Sequence, residues 1–300
     1  MRSIAVMNQK GGVGKTTTAV NLAAALAKSG RLVLLIDLDP QAHASLHLGI
    51  EPDAETKSVY DVLTDETPIA DVIRRVSENL SLVPSHLDLA AAEMELAGVV
   101  GREFILRDKL AAISEKFDFL VVDCPPSLGV LTINALTSVS EIIIPLQPHF
   151  LALHGLSKLL QTVDLVVKRL NPALTLTGVV LCLYDGGTTL AREVASDVAS
   201  FFTQSSETPA PKAWSNAKLF STKIRRNIRL AEAPSYGQSI FDYDPKSNGA
   251  ADYRQFADEL IGETSVISTN SDNDSNSADT PLADESPATL GPGDLAMETD

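Results

Sequence analysis

Lys10-Gly11-Gly12-Val13-Gly14-Lys15-Thr16-Thr17 follows the apolar run Ile4-Ala5-Val6-Met7 and precedes Ala19, Leu22, Ala23 and Leu26 at helical spacing. A strand, a glycine-rich turn and a helix in that order make a phosphate loop. Its glycines let main-chain N–H groups converge on phosphate oxygens, and the helix N-terminus adds the positive end of its dipole. Lys15 is placed to reach the terminal phosphates, and the Thr16 hydroxyl to take a Mg2+ coordination position directly. Gly11, Gly12, Val13, Gly14 and Thr17 complete the nucleotide-binding set. The usual G-x-x-x-x-G-K-[ST] spacing requires glycine at position 9, where this chain has Gln9, so the loop is a variant opened by a second lysine, Lys10.

Two further strand ends bring carboxylates toward the loop. Arg31 to Asp37 is a continuous apolar run, as expected of a strand buried on both faces of a parallel sheet, and it ends in Asp37-Leu38-Asp39-Pro40-Gln41. Ligand-facing residues in such sheets lie just beyond the carboxyl ends of strands, which places Asp37 and Asp39 for phosphate or metal chemistry. Phe119-Leu120-Val121-Val122-Asp123 repeats the pattern and runs into Cys124-Pro125-Pro126-Ser127-Leu128-Gly129. An acid at that position holds Mg2+ through a water, the role expected of Asp123.

The remaining elements predict a doubly wound α/β fold, a mostly parallel sheet with helices on both faces. Glu141 to Pro145 and Leu174 to Tyr184 read as strands, with a long helix from Leu151 to Arg169 between them. Val59 to Leu63, Ile69 to Val76 and Leu89 to Ala111 read as helical, the last with breaks, and Leu80 to Val83 as a short strand. Ala250 to Ile261, capped by Asn248-Gly249, closes the body. His43 and His47 stand four apart but lack a third ligand, and they read as surface or capping histidines.

The 300 residues carry a formal charge of −15 with 44% hydrophobic composition, enough for one sizeable core. The overall charge is a poor match for a nucleic-acid binder, so any DNA affinity must come from a local patch. Lys212, Lys218, Lys223, Arg225, Arg226 and Arg229 supply one: the segment from Lys212 to Arg229 contains no acid. From Glu263 to Asp300 the chain has nine acidic residues and no lysine or arginine, and is expected to form a disordered tail after an ATPase domain of residues 1–262. Taking its −9 from −15 leaves −6 on the body. Cys124 and Cys182 lie in apolar runs without disulfide or metal-ligand spacing, and suit a reducing cytosol. No apolar run approaches the roughly 20 residues of a membrane span.

The loop K-G-G-V-G-K-T-T, the segments D-L-D-P-Q and D-C-P-P-S-L-G, and Arg226-Asn227-Ile228-Arg229-Leu230-Ala231-Glu232-Ala233-Pro234-Ser235-Tyr236-Gly237 resemble those of the ParA/MinD superfamily, its Soj-like chromosomal branch in particular. The resemblance covers residues 1–262. It implies a slow ATPase that ATP and Mg2+ close into a sandwich homodimer, with Lys10 reaching the partner's phosphates and Gly11 at the dimer contact. It implies that Asp39 orients the attacking water and that a ParB-type partner stimulates hydrolysis. Arg229 matches an arginine used for sequence-independent DNA binding, and the protein is expected in the cytoplasm, associated with the nucleoid. Asn227 and Pro234 are carried over as nucleotide-binding residues.

Two departures bear on that picture. Where the family has arginine in D-x-R-T, this chain reads Asp185-Gly186-Gly187-Thr188, so Gly187 removes a DNA contact unless Arg192 or the basic segment substitutes. Arg225 replaces the proline usual before R-N, and residues 203–216 read as an insertion. The alternatives are an ATPase that positions a protein cargo or polar complex without DNA, as MinD- and FlhG-like proteins do, and an ATP-binding scaffold. A MinD-like membrane helix is opposed by the acidic tail. A related tyrosine kinase would need a C-terminal tyrosine cluster, and a nitrogenase-type iron protein two cluster-ligating cysteines in loops.

Overall fold

The computed structural model describes residues 1–53, 56–206 and 213–262. The segment read as a disordered tail, 263–300, lies outside the described residues, as does Lys212. Eight strands form one sheet: β1 (Arg2–Val6), β2 (Val33–Asp37), β3 (Arg74–Arg75), β4 (Leu80–Val83), β5 (Phe119–Asp123), β6 (Glu141–Leu146), β7 (Thr175–Tyr184) and β8 (Lys218–Arg225). Their spatial order is β3-β4-β2-β5-β1-β6-β7-β8, and every pairing is parallel except β3 with β4.

The α-helices are α1 (Lys15–Lys28), α2 (His43–His47), α3 (Val59–Thr64), α4 (Leu89–Glu95), α5 (Ile105–Ala111), α6 (Val130–Ser138), α7 (Ala152–Arg169), α8 (Thr189–Ser206), α9 (Ile228–Glu232), α10 (Ile240–Tyr243) and α11 (Asn248–Ile261). Alternation along the strands divides the core between two faces. Ile4 and Val6 of β1, with Val33 and Leu35 of β2, pack toward α1, α10 and α11. Ala5, Leu34, Ile36, Leu120 and Val122 pack on the opposite face toward α3 to α8. The doubly wound arrangement expected from the buried runs is the one found.

Helix α1 carries alanines at 19, 23, 24, 25 and 27, all buried. Small side chains let it lie close along the sheet, which fixes the loop at its N-terminus against the ends of β1 and β5.

Two local expectations are corrected and one is refined. Ile69 to Val76 is not a helix: Ile69–Asp71 is a single 3-10 turn and Arg74–Arg75 pairs antiparallel with Leu82 and Ser81. The apolar spacing of Ile69, Val72 and Val76 mimicked a helical face, but the strand partner decided the outcome. The breaks expected in Leu89 to Ala111 separate α4 from α5, with Gly101 between them at φ 76°. The cap of α11 is Ser247, whose hydroxyl accepts the Ala250 N–H, rather than Asn248-Gly249.

Candidate nucleotide site

β1 delivers the chain into the phosphate loop at the carboxyl edge of the sheet. Gly12 and Gly14 take φ 73° and 93°, left-handed values that a side chain resists, and Gly14 begins α1 without any side-chain cap. The first N–H groups of α1 therefore face outward, available to an anion. Asn8 fixes the start of the loop by donating to the Pro145 carbonyl (2.7 Å) and accepting the Lys10 N–H (3.0 Å).

The two lysines are held differently. Lys15 is buried, 8% exposed, and its Nζ donates to the Lys10 carbonyl at 3.3 Å, folded across the loop where phosphates would lie. Lys10 is exposed. Beside it His149 accepts the Leu151 N–H, and Phe150 is 88% exposed; the Lys10 charge helps hold the His149 pKa below its ordinary value, after burial. At Gly11 a Cβ would meet nothing within 4 Å, so packing within one chain gives no reason for glycine there.

Three carboxylates converge on the loop. Asp123 pairs in register with Val6 on one side and Asp37 on the other. Asp37 accepts both the N–H and the hydroxyl of Ser45 at 2.8 Å, and the Asp39 N–H at 3.3 Å. Burial nonetheless raises its pKa to about 6. Ser45 in turn accepts the Ser85 N–H, and the Ser85 hydroxyl donates to the Asp39 carbonyl at 2.7 Å. Asp39 is nearly buried and accepts the Gln41 N–H, which shapes the D-P-Q turn.

Asp123 is fully buried, and neither carboxylate oxygen has a hydrogen-bond partner in good geometry. Burial, then the nearby Asp37 and Asp39 charges, push its pKa well up; the neighbouring Thr16 hydroxyl and the Lys15 ammonium oppose them. Thr16 is thus close enough to act on the carboxyl electrostatically while its contact falls short of a directional bond. An unpartnered buried carboxylate beside a hydroxyl and an ammonium is a donor set that fits a divalent cation held with phosphates. After Asp123 the chain turns through two prolines to Gly129, where any Cβ would overlap the Glu93 carboxylate.

A cavity of about 110 Å³ opens on the other side of Gly14 and Thr17. Leu183, Arg225, Asn227 and Tyr253 contribute to its walls. Leu183 holds φ 52°, rare for a leucine, and Tyr253 hydrogen-bonds the Thr18 hydroxyl at 3.1 Å. Asn227 caps α9 through the Arg229 N–H, as well as lining the cavity. Pro234, expected beside the nucleotide, is not among the lining residues and is the second residue of a 3-10 turn, Ala233–Tyr236, instead. Cys182 lines the cavity and is buried; burial pushes its thiol up to about 12.

With this arrangement in view, the comparisons with known proteins are decisive. A family described as an AAA domain matches residues 1–176. The sporulation initiation inhibitor protein Soj of Bacillus subtilis is 46% identical over 258 residues, covering 86% of this chain and 97% of that protein. The chain belongs to the Soj/ParA family. The chromosome-partitioning ATPase Soj of Treponema pallidum is 42% identical, over 87% of this chain and 97% of its own length. Among solved structures, one titled cobyrinic acid a,c-diamide synthase from Mycobacterium smegmatis, with bound ATP analogue and magnesium, is 39% identical with a TM-score of 0.72. It covers 87% of this chain and 94% of that one. Partitioning ATPase is thus the role of the family.

The basic residues are held to different degrees. Within β8, Lys218 lies 3.8 Å from Glu259, Lys223 sits over the Tyr184 ring, and Arg225 forms a bidentate pair with Asp252. Arg229 is paired with Glu232 (2.8 Å) and Asp244 (3.4 Å). Arg226 is exposed and its guanidinium has no ion pair among the described residues. At the turn where the family arginine is missing, the Gly187 N–H bonds the Asp185 side chain, and Arg192 folds back onto the Gly186 carbonyl and Thr189 hydroxyl.

His47 is buried, not a surface group, and burial lowers its pKa to about 4 against a smaller upward pull from the Gln238 carbonyl. His43 is exposed, and no metal-holding group of three His, Cys, Asp or Glu occurs among the described residues. No described helix is long and apolar enough to cross a membrane. Sequence reasoning missed Asn8, Ser45, Ser85 and Asp252 as supports of the site.

Proposed function

We propose that residues 1–262 form an ATP-dependent dimerisation switch that hydrolyses ATP slowly and partitions DNA. The observation that carries this reading is the buried, unpartnered Asp123 carboxylate beside Lys15 and Thr16 at the phosphate loop. Main-chain N–H groups of Gly12 to Thr16 would cradle the phosphates of ATP, Lys15 would neutralise the terminal ones, and the base would lie in the cavity lined by Asn227. Thr16 would ligate Mg2+ directly, with Asp123 and Asp39 holding it through waters. When bound, Mg2+ supplies neutralisation of the charge on the transferring phosphoryl group. Asp39, fixed by its own turn and by Ser85, would orient the attacking water.

The open space at Gly11 and the exposure of Lys10 and Phe150 support a second copy docking on this edge. Lys10 would cross to the partner's phosphates. Arg226 and Arg229, with Lys218, Lys223 and Arg225 around them, would contact DNA phosphates without reading sequence. A ParB-type activator would stimulate hydrolysis and release the dimer from the nucleoid. The Soj and ParA relatives support chromosome partition more strongly than the synthase does, since they are more similar over an equal share of the chain.

The test is co-sedimentation of the Asp39→Ala protein with DNA in ATP, in ADP and without nucleotide, across a salt series. Retention only with ATP, falling steeply with salt, is the expected result. A dimer in ATP with no retention in any state would replace DNA by a protein cargo.

A further inference from the structure

Arg225 ends β8, an edge strand of the sheet, where no further strand among the described residues holds it. A strand end in that position is ordinarily the loosest part of a sheet. Here one carboxylate binds it four ways. Asp252 accepts the Arg225 backbone N–H at 2.9 Å, Nη2 at 2.6 Å, and Nε at 3.0 and 3.1 Å on its two oxygens. Asp252 is 4% exposed and spends both oxygens on this one residue. The guanidinium itself stays half-exposed at the rim of the cavity beside Gly14. A planar fork gripped from one side cannot swing away, which a lysine in the same place could do.

The grip is connected to both walls of the cavity. Asp252 belongs to α11, and its neighbour Tyr253 lines the cavity while bonding Thr18 of the phosphate-loop helix. Two residues beyond Arg225, Asn227 lines the cavity and starts α9. One turn of α11 therefore carries side by side the group that fixes the outer wall and the group that fixes the inner one. Neither member of the Arg225–Asp252 pair touches the phosphate loop. The pair instead spaces the two walls of the cavity.

We propose that Arg225, clamped by Asp252, is a specificity-determining positioning residue that sets the affinity for the base of the nucleotide without acting on its phosphates. This rests on the reading that the base occupies the cavity beside Gly14.

Calorimetric titration of the full chain with ATP and with inorganic tripolyphosphate, both with Mg2+, separates the two halves of the ligand. Arg225→Ala is expected to weaken ATP by about tenfold, the size of one well-placed contact, and to leave tripolyphosphate binding unchanged. Arg225→Lys keeps the charge but loses the fork, and should shift the same ratio in the same direction, which also covers a failure of the alanine variant to fold. ATP affinity unchanged in the lysine variant, or both ligands weakened by the same factor, would overturn the proposal; a loss of overall stability alone cannot move the ratio. Ala231→Phe, which fills the cavity from α9, tests the underlying reading separately. If that variant binds ATP normally, the base lies elsewhere; if it weakens ATP while both Arg225 variants do not, the cavity stands and the clamp falls.

Discussion

Asp37 and Asp123 are directly paired residues at the carboxyl ends of two neighbouring parallel strands, and neither has exposed surface. Asp37 is satisfied by Ser45 and Asp39, whereas both oxygens of Asp123 are left without a partner. Removing the charge from Asp123 should therefore cost the unliganded fold nothing. The Asp123→Asn protein is expected to melt no lower than the parent without ligand, and to lose the strengthening of ATP binding by Mg2+. Melting curves and ATP titrations with and without Mg2+ check both points; Mg2+ strengthening ATP as much in the variant as in the parent would remove Asp123 from the metal site.

Gly11 offers a separation of folding from assembly. Its side-chain direction is open and its φ is not left-handed, so Gly11→Val should change monomer stability by no more than about 0.5 kcal/mol. ATP binding should persist, and the ATP-dependent dimer should fail to form. Sedimentation velocity with ATP in the Asp39→Ala background reads this directly. A dimer of parental strength in the valine variant would place the contact elsewhere.

Two arginines of the basic segment differ in what holds them. Arg226→Ala removes a side chain with no ion pair among the described residues, so the slope of log affinity against log salt for DNA should fall by about one with stability untouched. Arg229→Ala also dissolves the pairs with Glu232 and Asp244, and should lower DNA affinity together with a small loss of stability. Anisotropy titrations at several salt concentrations distinguish the two. An unchanged slope and affinity for Arg226→Ala would mean that it contacts no phosphate.

His47 gives the fold an acid-side liability. Its pKa is about 4 in the folded protein and near 6.5 when unfolded, so the unfolded chain takes up the proton first. The stability held by neutral His47 is complete above pH 6.5 and is lost as pH falls toward 4, by up to about 3 kcal/mol. In His47→Gln this part of the pH dependence should vanish. Urea unfolding at pH 7, 5.5 and 4.5 measures it, and parallel pH dependences in both proteins would show that His47 is not the titrating group.

The central sheet and the phosphate loop were legible because their causes are local. Strands buried on both faces must be apolar along their length, and Val33 to Ile36 and Phe119 to Val122 are, each then ending in an aspartate at the ligand edge; the loop needs its glycines and lysines in sequence. What escaped depends on distant partners. The run from Ile69 to Val76 has helical spacing, and only Ser81 and Leu82 make strand of its end. His47 is four residues from an exposed histidine, and it is buried against Gln238, far along the chain. The basic segment contains no acid, yet Asp252, Glu259, Glu232 and Asp244 reach into it from outside or from its border.

The order of the strands also has a consequence for how the chain is born. β1, which leads into the phosphate loop, lies between β5 and β6, so Arg2 must wait for Phe119 and Ile4 for Glu141. At translation rates of about 5–20 residues per second, that wait is on the order of ten seconds. Throughout it the nascent loop has no strand beside it and no Asp123 to complete it. The loop is thus made well before it is competent for nucleotide, and ATP can act on this protein only after its synthesis has passed the middle of the sheet.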